Sequence, residues 1–218
     1  MTRNIIVAKN GIATGTSGND DLVVNGAGQT LVGNGDNDVF DIGSYAGTKI
    51  VVGSGGITAV RTSASTYRLA DGVDDLVASG GSAHVISGNG RNNLITGSNA
   101  NDTISGGGGN VVIQVGTGAN QLTGGGKYDT FAFLTPADHN NVITDFKAGY
   151  DVLDLRKVFA VGSFDTTQPD TYLKLTQSGA NTVMSVASNA SGAGSHVLVT
   201  LNQVQAISLV AGTDYIFA

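Results

Sequence analysis

The chain contains no cysteine and only two prolines among its 218 residues. Without cysteine, neither disulfide bonds nor thiolate metal ligands can hold the fold together. The scarcity of proline argues against a collagen-like protein or a proline-rich linker. Charged residues are also few, at 13% of the chain, and the formal net charge is −6. No basic surface is therefore available to neutralise phosphates, and we expect no nucleic-acid partner.

Long apolar runs and familiar catalytic motifs are absent as well. The apolar stretch at residues 5–7 is too short for a signal-peptide core or a membrane span. There is no H-E-x-x-H motif for zinc and no G-x-S-x-G nucleophile turn. The three glycines before Lys127 are followed by Tyr128, where a phosphate-binding loop needs Ser or Thr. We therefore predict no catalytic residues, no enzyme activity and no membrane span.

Glycine is the residue present in excess. The chain has 33 glycines, about twice the usual share of ~7%. So much glycine with so little proline indicates many turns of one kind, each needing a positive φ or a close backbone approach. Hydrophobic residues still make up 40% of the chain, which is enough to bury a core.

A nine-residue repeat runs through the first two thirds of the chain. Five blocks follow one another without a gap from residue 88 to residue 132. The eighth position of each block is large and apolar, namely Ile95, Ile104, Ile113, Leu122 and Phe131. The same spacing fits residues 15–23, 33–41 and 79–87, and poorer blocks between them end on Leu31, Ile50, Val60, Leu69 and Leu76 or Val77. The pattern matches the nonapeptide G-G-x-G-x-D-x-U-x, where U is apolar.

Each block predicts a tight turn of Gly, Asn and Asp, followed by a short strand with one inward side chain. Two blocks complete one coil, and a coil buries its apolar face only against its neighbours. We therefore predict an all-β protein, a parallel β-roll or β-helix solenoid of nonapeptide repeats with a C-terminal antiparallel β cap. The predicted parts are an N-terminal cap strand at residues 1–14, the roll at 15–132, and a C-terminal β cap at 133–218.

The blocks resemble the calcium-binding RTX repeats of proteins exported by type I secretion systems. Residues 138–155, DHNNVITDFKAGYDVLDL, are similar to the D-x-I-x-D-F-x-x-G-x-D-x-L-D-L segment that follows the roll in this family. Residues 172–175, 182–186 and 196–201 alternate in polarity as cap strands would. The ending DYIFA is similar to the uncleaved C-terminal signal of type I substrates. The resemblance implies that residues 133–218 are a cap and secretion-signal domain. It also implies a secreted, extracellular bacterial protein without an N-terminal signal peptide, and type I secretion machinery as its partner.

The resemblance also implies Ca²⁺ as the cofactor. In the family the ion lies between a block and the next but one, held by sixth-position aspartates and turn carbonyls, which suits a cation that takes 6–8 oxygen ligands. Folding is then coupled to the metal. The candidate ligands in this sequence are Gly18, Asp20, Asp36, Asp38, Asp102, Asn120, Asp129 and Asp151. Asp145 and Asp154 are further candidates at the junction with the cap, where turn roles explain them equally well.

The sixth positions depart from the family pattern, which limits the number of ions we expect. On one side of the roll they run Asp20, Asp38, Thr58, Asp75, Asn93, Val111, Asp129, and on the other Thr30, Thr48, Tyr67, His84, Asp102, Asn120. Only the first two form a clean acidic pair, and a valine cannot ligate through its side chain. We expect few ions, near the ends of the roll, and Asn and Thr ladders in its middle. Alternatively, the Asp and Asn residues are plain turn formers.

Two functions remain open. The first is a non-catalytic extracellular binding, adhesion or matrix protein that holds a polysaccharide or a cell surface. Its candidate sugar-stacking rings are Tyr45, Tyr67, Tyr128 and Tyr150, which buried or turn-capping roles would also explain. The second is the C-terminal folding and secretion module of a larger exported enzyme, polysaccharide-modifying or proteolytic. The initial Met1 favours a complete short protein, whereas a longer upstream reading frame would indicate the module.

Overall fold

The computed structural model describes residues 4–9, 11–161, 164–165, 168, 171–187 and 194–217. The strands in this part of the chain are, in chain order, β1 (Asn4–Val7), β2 (Ile12–Thr14), β3 (Asp20–Val23), β4 (Thr30–Val32), β5 (Val39–Gly43), β6 (Lys49–Val51), β7 (Ala59–Thr62), β8 (Thr66–Arg68), β9 (Asp75–Ala78), β10 (Val85–Ser87), β11 (Leu94–Thr96), β12 (Thr103–Ser105), β13 (Val112–Val115), β14 (Gln121–Thr123), β15 (Thr130–Phe133), β16 (Asn141–Ile143), β17 (Val152–Asp154), β18 (Leu173–Ser178), β19 (Asn181–Val186), β20 (His196–Leu201) and β21 (Tyr215–Ile216). The helical elements are α1 (Arg156–Val161) and a 3-10 turn at Ala206–Ser208. Neither described helix has the length or the apolar content needed to traverse a bilayer.

The strands wind into a parallel β-solenoid, which confirms the predicted fold. Sheet A has ten strands in the order β1-β3-β5-β7-β9-β11-β13-β15-β17-β21, and sheet B has the order β2-β4-β6. Sheet C has eight strands in the order β8-β10-β12-β14-β16-β20-β19-β18. Odd-numbered and even-numbered strands of the roll thus lie in different sheets, so every two strands complete one coil. In the regular coils Ile95 pairs with Ile113 and Ile104 with Leu122, two blocks further along the chain.

The eighth residue of each regular block points into the roll and builds a continuous apolar core. Ile95, Ile104, Ile113, Leu122 and Phe131 are each at most 1% exposed. Burying an aliphatic or aromatic side chain of this size contributes about 1.5–3 kcal/mol. Because successive side chains of a strand point to opposite faces, the seventh and ninth residues of a block face outward.

The parallel coils extend beyond residues 15–132 at both ends. Within residues 1–14, the predicted cap strand, β1 pairs in parallel with β3 and β2 with β4. At the other end, β16 and β17 continue the two ladders on β14 and β15. The coils therefore start at the first described strand and run through β17.

The C-terminal part covers the last coil. Strands β18, β19 and β20 pair antiparallel, and β20 joins sheet C in parallel with β16. The last strand, β21, adds to sheet A beside β17. Phe159 of α1 packs against Phe164 and Phe217, with ring centroids 5.0 and 5.6 Å apart. Ala218, the last residue of the predicted secretion signal, lies outside the described residues.

The repeat is irregular around β8, and the predicted position of Tyr67 is wrong. The prediction placed Tyr67 in a sixth, turn position and Leu69 in the eighth. Instead, Tyr67 pairs with Ile86 on β10, points inward and is only 6% exposed. The ladder is also interrupted here, because β6 and β8 belong to different sheets.

The predicted register is also wrong in the next block. The prediction placed Asp75 in the sixth position, but Leu76 is the buried residue that pairs with Val60. Two residues before Leu76 stands Asp74, which therefore holds the sixth position. The blocks in this region do not keep a length of nine residues, so counting by nine loses the register.

Candidate functional site

Side chains in the sixth positions turn inward and bond one coil to the next. We call these residues the Asx ladder: Asp38, Asp74, Asp102, Asn120, Asp129, Asn141 and Asp151. Each accepts a hydrogen bond from the backbone N–H of the sixth residue in the preceding coil. The N–H of His84 donates to Oδ1 of Asp102 at 2.8 Å, and the N–H of Asp102 donates to Oδ1 of Asn120 at 2.8 Å.

Sixth-position aspartates also accept hydrogen bonds from the backbone of their own turns. In each of three turns, Oδ2 accepts the backbone N–H four residues earlier at 2.6–2.8 Å; the pairs are Thr16–Asp20, Ser98–Asp102 and Lys147–Asp151. These are inward-facing groups, and Asp102 is 1% exposed. A net contribution of about 1.5–3 kcal/mol is typical for a hydrogen bond to a charged group. The carboxylates therefore stabilise both the turn and the stacking of coils.

The structure brings the candidate calcium ligands together in pairs. The pairs are Asp20–Asp38, Asp102–Asn120 and Asp129–Asp151. Gly18 donates its N–H to Oγ1 of Thr16, and Asp36 is exposed at a positive φ of 53°. Within the described part of the chain, no group of three or more His, Cys, Asp or Glu side chains is placed to hold a metal ion. Calcium at these residues stays a prediction.

Two sixth positions in the middle of the roll hold residues outside the Asx ladder, Val111 and Asn93. Val111 has only 1% of its surface exposed, and its backbone N–H donates to Oδ1 of Asp129 at 2.9 Å. Asn93 accepts the N–H of Asn89 at 2.9 Å and donates through Nδ2 to the carbonyl of Asp74 at 2.9 Å. Coils in this region are therefore joined by amide hydrogen bonds and apolar packing.

Three carboxylates approach one another at the last coil of the roll. Asp145 accepts the N–H groups of Gly124 and Gly125 at 2.9 and 2.8 Å. Burial, together with the charges of Asp151 and Asp145, raises the pKa of Asp129 to about 6, although the N–H of Val111 opposes this shift. Burial also raises the pKa of Asp151. Three carboxylate charges therefore act on one another at this end of the roll, although the three side chains do not form a group placed to hold a metal ion.

Asp154, the other junction candidate, has a different partner. Its Oδ2 lies 2.7 Å from a terminal nitrogen of Arg156, and that contact lowers the pKa of Asp154. It therefore forms a surface ion pair and does not join the three carboxylates.

The four candidate tyrosines occupy three different environments. Tyr67 is buried, and burial raises the pKa of its hydroxyl to about 12, so it offers no face to a ligand. Tyr45 is 38% exposed and lies in the turn before β6. Tyr128 and Tyr150 are 58% and 44% exposed and stack with ring centroids 5.4 Å apart. Nζ of Lys147 lies 3.9 Å from the centroid of the Tyr150 ring.

Sequence reasoning missed two polar residues that extend the same arrangement into the cap. Asn141 accepts the N–H of Asn120 at 3.1 Å, 21 residues away instead of 18. Asp214, assigned to the secretion signal, accepts the N–H groups of Gly149 and Val210. The three-residue insertion displaces Asn141 from the nine-residue count, but its place two residues before the apolar Ile143 is the signal that identifies it.

Comparison with known proteins adds a similarity in fold. No protein-family model matches the chain, and no curated protein matches it. Among solved structures, the chain is similar to the solution structure of the AlgE6R3 subunit of a mannuronan C5-epimerase from Azotobacter vinelandii. The identity is 24%, the TM-score is 0.48, and the match covers 62% of this chain and 78% of that one. A similarity at this level says nothing about activity or ligand.

Proposed function

We propose that the protein is a non-catalytic β-roll module that works outside the cell by binding a polysaccharide. In this proposal type I secretion machinery exports the chain, and Ca²⁺ stabilises the roll. The observation that carries the proposal is the exposed stack of Tyr128 on Tyr150. The inward polar side chains of the Asx ladder are already bonded to the backbone, so a ligand has to bind on the outer surface.

An exposed pair of aromatic rings suits a sugar. A tyrosine ring presents an apolar face, on which the C–H groups of a sugar can pack, and a hydroxyl that stays in water. Lys147 lies over Tyr150 in a cation–π contact, which favours one orientation of that ring. The pair is therefore a partly ordered platform on the surface of the roll.

Replacing both rings, Tyr128→Ala with Tyr150→Ala, is expected to weaken polysaccharide binding by about tenfold. Each lost stacking contact is worth about 0.5–1.5 kcal/mol, and about 1.4 kcal/mol is a factor of ten in Kd. Binding is measured by retention on an array of polysaccharides, followed by calorimetric titration of the retained one. Tyr45→Ala, which removes a lone exposed ring, is the matched control and should leave Kd unchanged.

Failure to retain any polysaccharide would contradict the proposed function. Retention with an unchanged Kd in the double variant would leave the function standing and contradict the role of the two rings.

The repulsion between carboxylates at the last coil is the reason for including Ca²⁺ in the proposal. Asp129, Asp145 and Asp151 lie close enough for their charges to raise the pKa of Asp129. Removing this repulsion would stabilise the last coil, on which the cap is built. Asp20 and Asp38 form the corresponding acidic pair at the other end of the roll.

The midpoint of thermal unfolding is expected to rise when Ca²⁺ is added to protein treated with EDTA. A ligand present at 100 times its Kd stabilises the folded state by about 2.7 kcal/mol, which for a chain of this size corresponds to about 5–10 °C. Far-UV circular dichroism follows the transition. Mg²⁺ at the same concentration is the control, because it demands a tighter octahedral site. Equal midpoints in EDTA and in Ca²⁺ would remove the ion from the proposal.

A second candidate function is the folding and export module of a larger exported enzyme. One observation favours it, namely the open end of the roll at β1 and β2. β1 and β2 are the edge strands of their sheets in the described part of the chain, and Ile5, Val7 and Ile12 are 74%, 51% and 54% exposed on the outward faces of this first coil. Unpaired strand edges beside exposed apolar side chains are suited to stacking against another domain.

A further inference from the structure

The two outer faces of the roll differ in charge. The outward positions of sheet A carry four carboxylates, those of Asp21, Asp41, Asp75 and Asp154. The outward positions of the eight parallel strands β2, β4, β6, β8, β10, β12, β14 and β16 carry no carboxylate. Their only charged side chains are Lys49 and Arg68. An anionic ligand is therefore repelled by the face of sheet A and accepted by the opposite face.

Arg68 on β8 differs from the other described arginines because its guanidinium has no partner. The side chain is exposed and makes no hydrogen bond or ion pair with any residue that the structure describes. Arg61 lies 3.4 Å from Asp41, Arg91 lies 3.6 Å from Asp74, and Arg156 lies 2.7 Å from Asp154. In a chain with a net charge of −6, an unpaired guanidinium on a row of strands without outward carboxylates is available to an external anion.

A cleft opens beside Arg68 on this face. Its volume is about 410 Å³, and besides Arg68 it is lined by Ser87, Ser105, Asn89 and the turn glycines 88, 90, 107 and 108. Ser87 pairs with Arg68 on one side and with Ser105 on the other, so all three occupy the same outward row on neighbouring strands. The two serine hydroxyls make no hydrogen bond within the described residues. Thr123 extends the row on β14.

We propose that this cleft, formed by Arg68, Ser87 and Ser105, binds a carboxylate-bearing sugar unit of an extracellular polysaccharide. The inference rests on the proposed function. It specifies in addition that the polysaccharide is anionic and that it binds on the face opposite sheet A. A guanidinium binds a carboxylate through two parallel hydrogen bonds. Each serine hydroxyl can both donate to and accept from the hydroxyls of a sugar.

The row of hydroxyls favours a polysaccharide over an acidic peptide. Neighbouring strands lie about 4.8 Å apart, so the row repeats polar contacts along a chain that crosses the strands. A peptide would add to a sheet edge through its backbone. β8 is the edge strand of sheet C, but Ser87 and Ser105 lie on β10 and β12, which are paired on both sides and out of reach of such a peptide's backbone. The lining of glycine and serine also offers no apolar pocket for peptide side chains.

Arg68→Ala is expected to raise the Kd for polygalacturonate at least about tenfold in calorimetric titration of the full chain in Ca²⁺ buffer. Arg61→Ala is the matched control, because it removes the same charge from the face of sheet A and should change Kd by no more than about twofold. Arg68→Lys should lose most of the affinity, since an ammonium cannot form the paired hydrogen bonds. Ser87→Ala with Ser105→Ala should weaken binding while leaving the circular dichroism spectrum unchanged.

The other outcomes separate this inference from the function on which it rests. If the protein binds polygalacturonate equally well with and without Arg68, or binds only a neutral dextran, the assigned cleft is wrong while polysaccharide binding stands. If dextran sulfate binds with the same affinity as polygalacturonate, the cleft does not select a carboxylate, and that part of the inference is wrong. Arg68-dependent binding of polyglutamate that exceeds the binding of polygalacturonate would overturn the choice of a sugar. If no polysaccharide binds, both the cleft and the proposed function are wrong.

Discussion

Gly125→Ala is expected to lower the free energy of unfolding by about 3–5 kcal/mol, enough to unfold the last coils of the roll. Gly125 has a φ of 110°, where a residue with a Cβ atom is strained. A methyl group at this position would also overlap the carbonyl oxygen of Gly107 in the preceding coil. Because the obstacle is backbone, only a displacement of the whole turn can relieve the overlap.

The adjacent residue provides the control. Gly126 has no positive φ, and a Cβ atom added there meets nothing within 4 Å. Gly126→Ala should therefore be neutral or slightly stabilising, by at most about 1 kcal/mol, since alanine restricts the unfolded chain. Urea unfolding followed by circular dichroism measures both variants. Equal stabilities would mean that the turns do not stack as closely as the structure describes.

Asp102→Ala is expected to cost about 2–5 kcal/mol of stability. Asp102 accepts the N–H groups of His84 and Ser98 at 2.8 and 2.7 Å, and it also accepts the hydroxyl of Ser98. The three residues are at most 5% exposed, so water cannot replace the lost acceptor without opening the turn. A buried donor left without a partner costs about 1–3 kcal/mol, and the variant leaves two backbone N–H groups in that state, besides the Ser98 hydroxyl.

Two further variants show whether the loss comes from the ladder or from a metal ion. Asn99→Ala changes an exposed residue of the same turn and should shift stability by at most about 0.5 kcal/mol. Asp102→Asn keeps one acceptor oxygen and should lie between the wild type and Asp102→Ala. All variants are compared in EDTA, where loss of a bound ion cannot contribute. An unchanged stability of Asp102→Ala in EDTA would show that its carboxylate has no structural role without metal.

The regular repeat makes the fold predictable from the order of the residues. Apolar residues such as Ile104 and Phe131 recur every nine residues among glycines that cannot form strands, and only a stack of coils buries all of them. The parallel solenoid, its core and its antiparallel cap follow from that pattern. The coils at β1 and β17 lie outside the predicted roll because neither has the glycine-rich turn that identifies the other blocks.

Prediction of the candidate site was less complete, because a sequence pattern shows which polar residues lie in turns but not what they bond to. Asp102 was an expected calcium ligand, and the structure also places it between two backbone N–H groups. One of those donors is 18 residues away, and it comes within reach only when the coils stack. Calcium at this residue remains a prediction that the variants in EDTA and Ca²⁺ can test.

The sequence alone determined that this protein is a stack of coils with inward apolar residues, because a nine-residue period is a local property of the chain. Only the tertiary structure decided the register around Tyr67 and Asp74, where the block length changes and counting fails. It also decided which outward side chains are neighbours. Arg68 and Ser105 are 37 residues apart in the sequence and become lining residues of one cleft because β8, β10 and β12 pair in register.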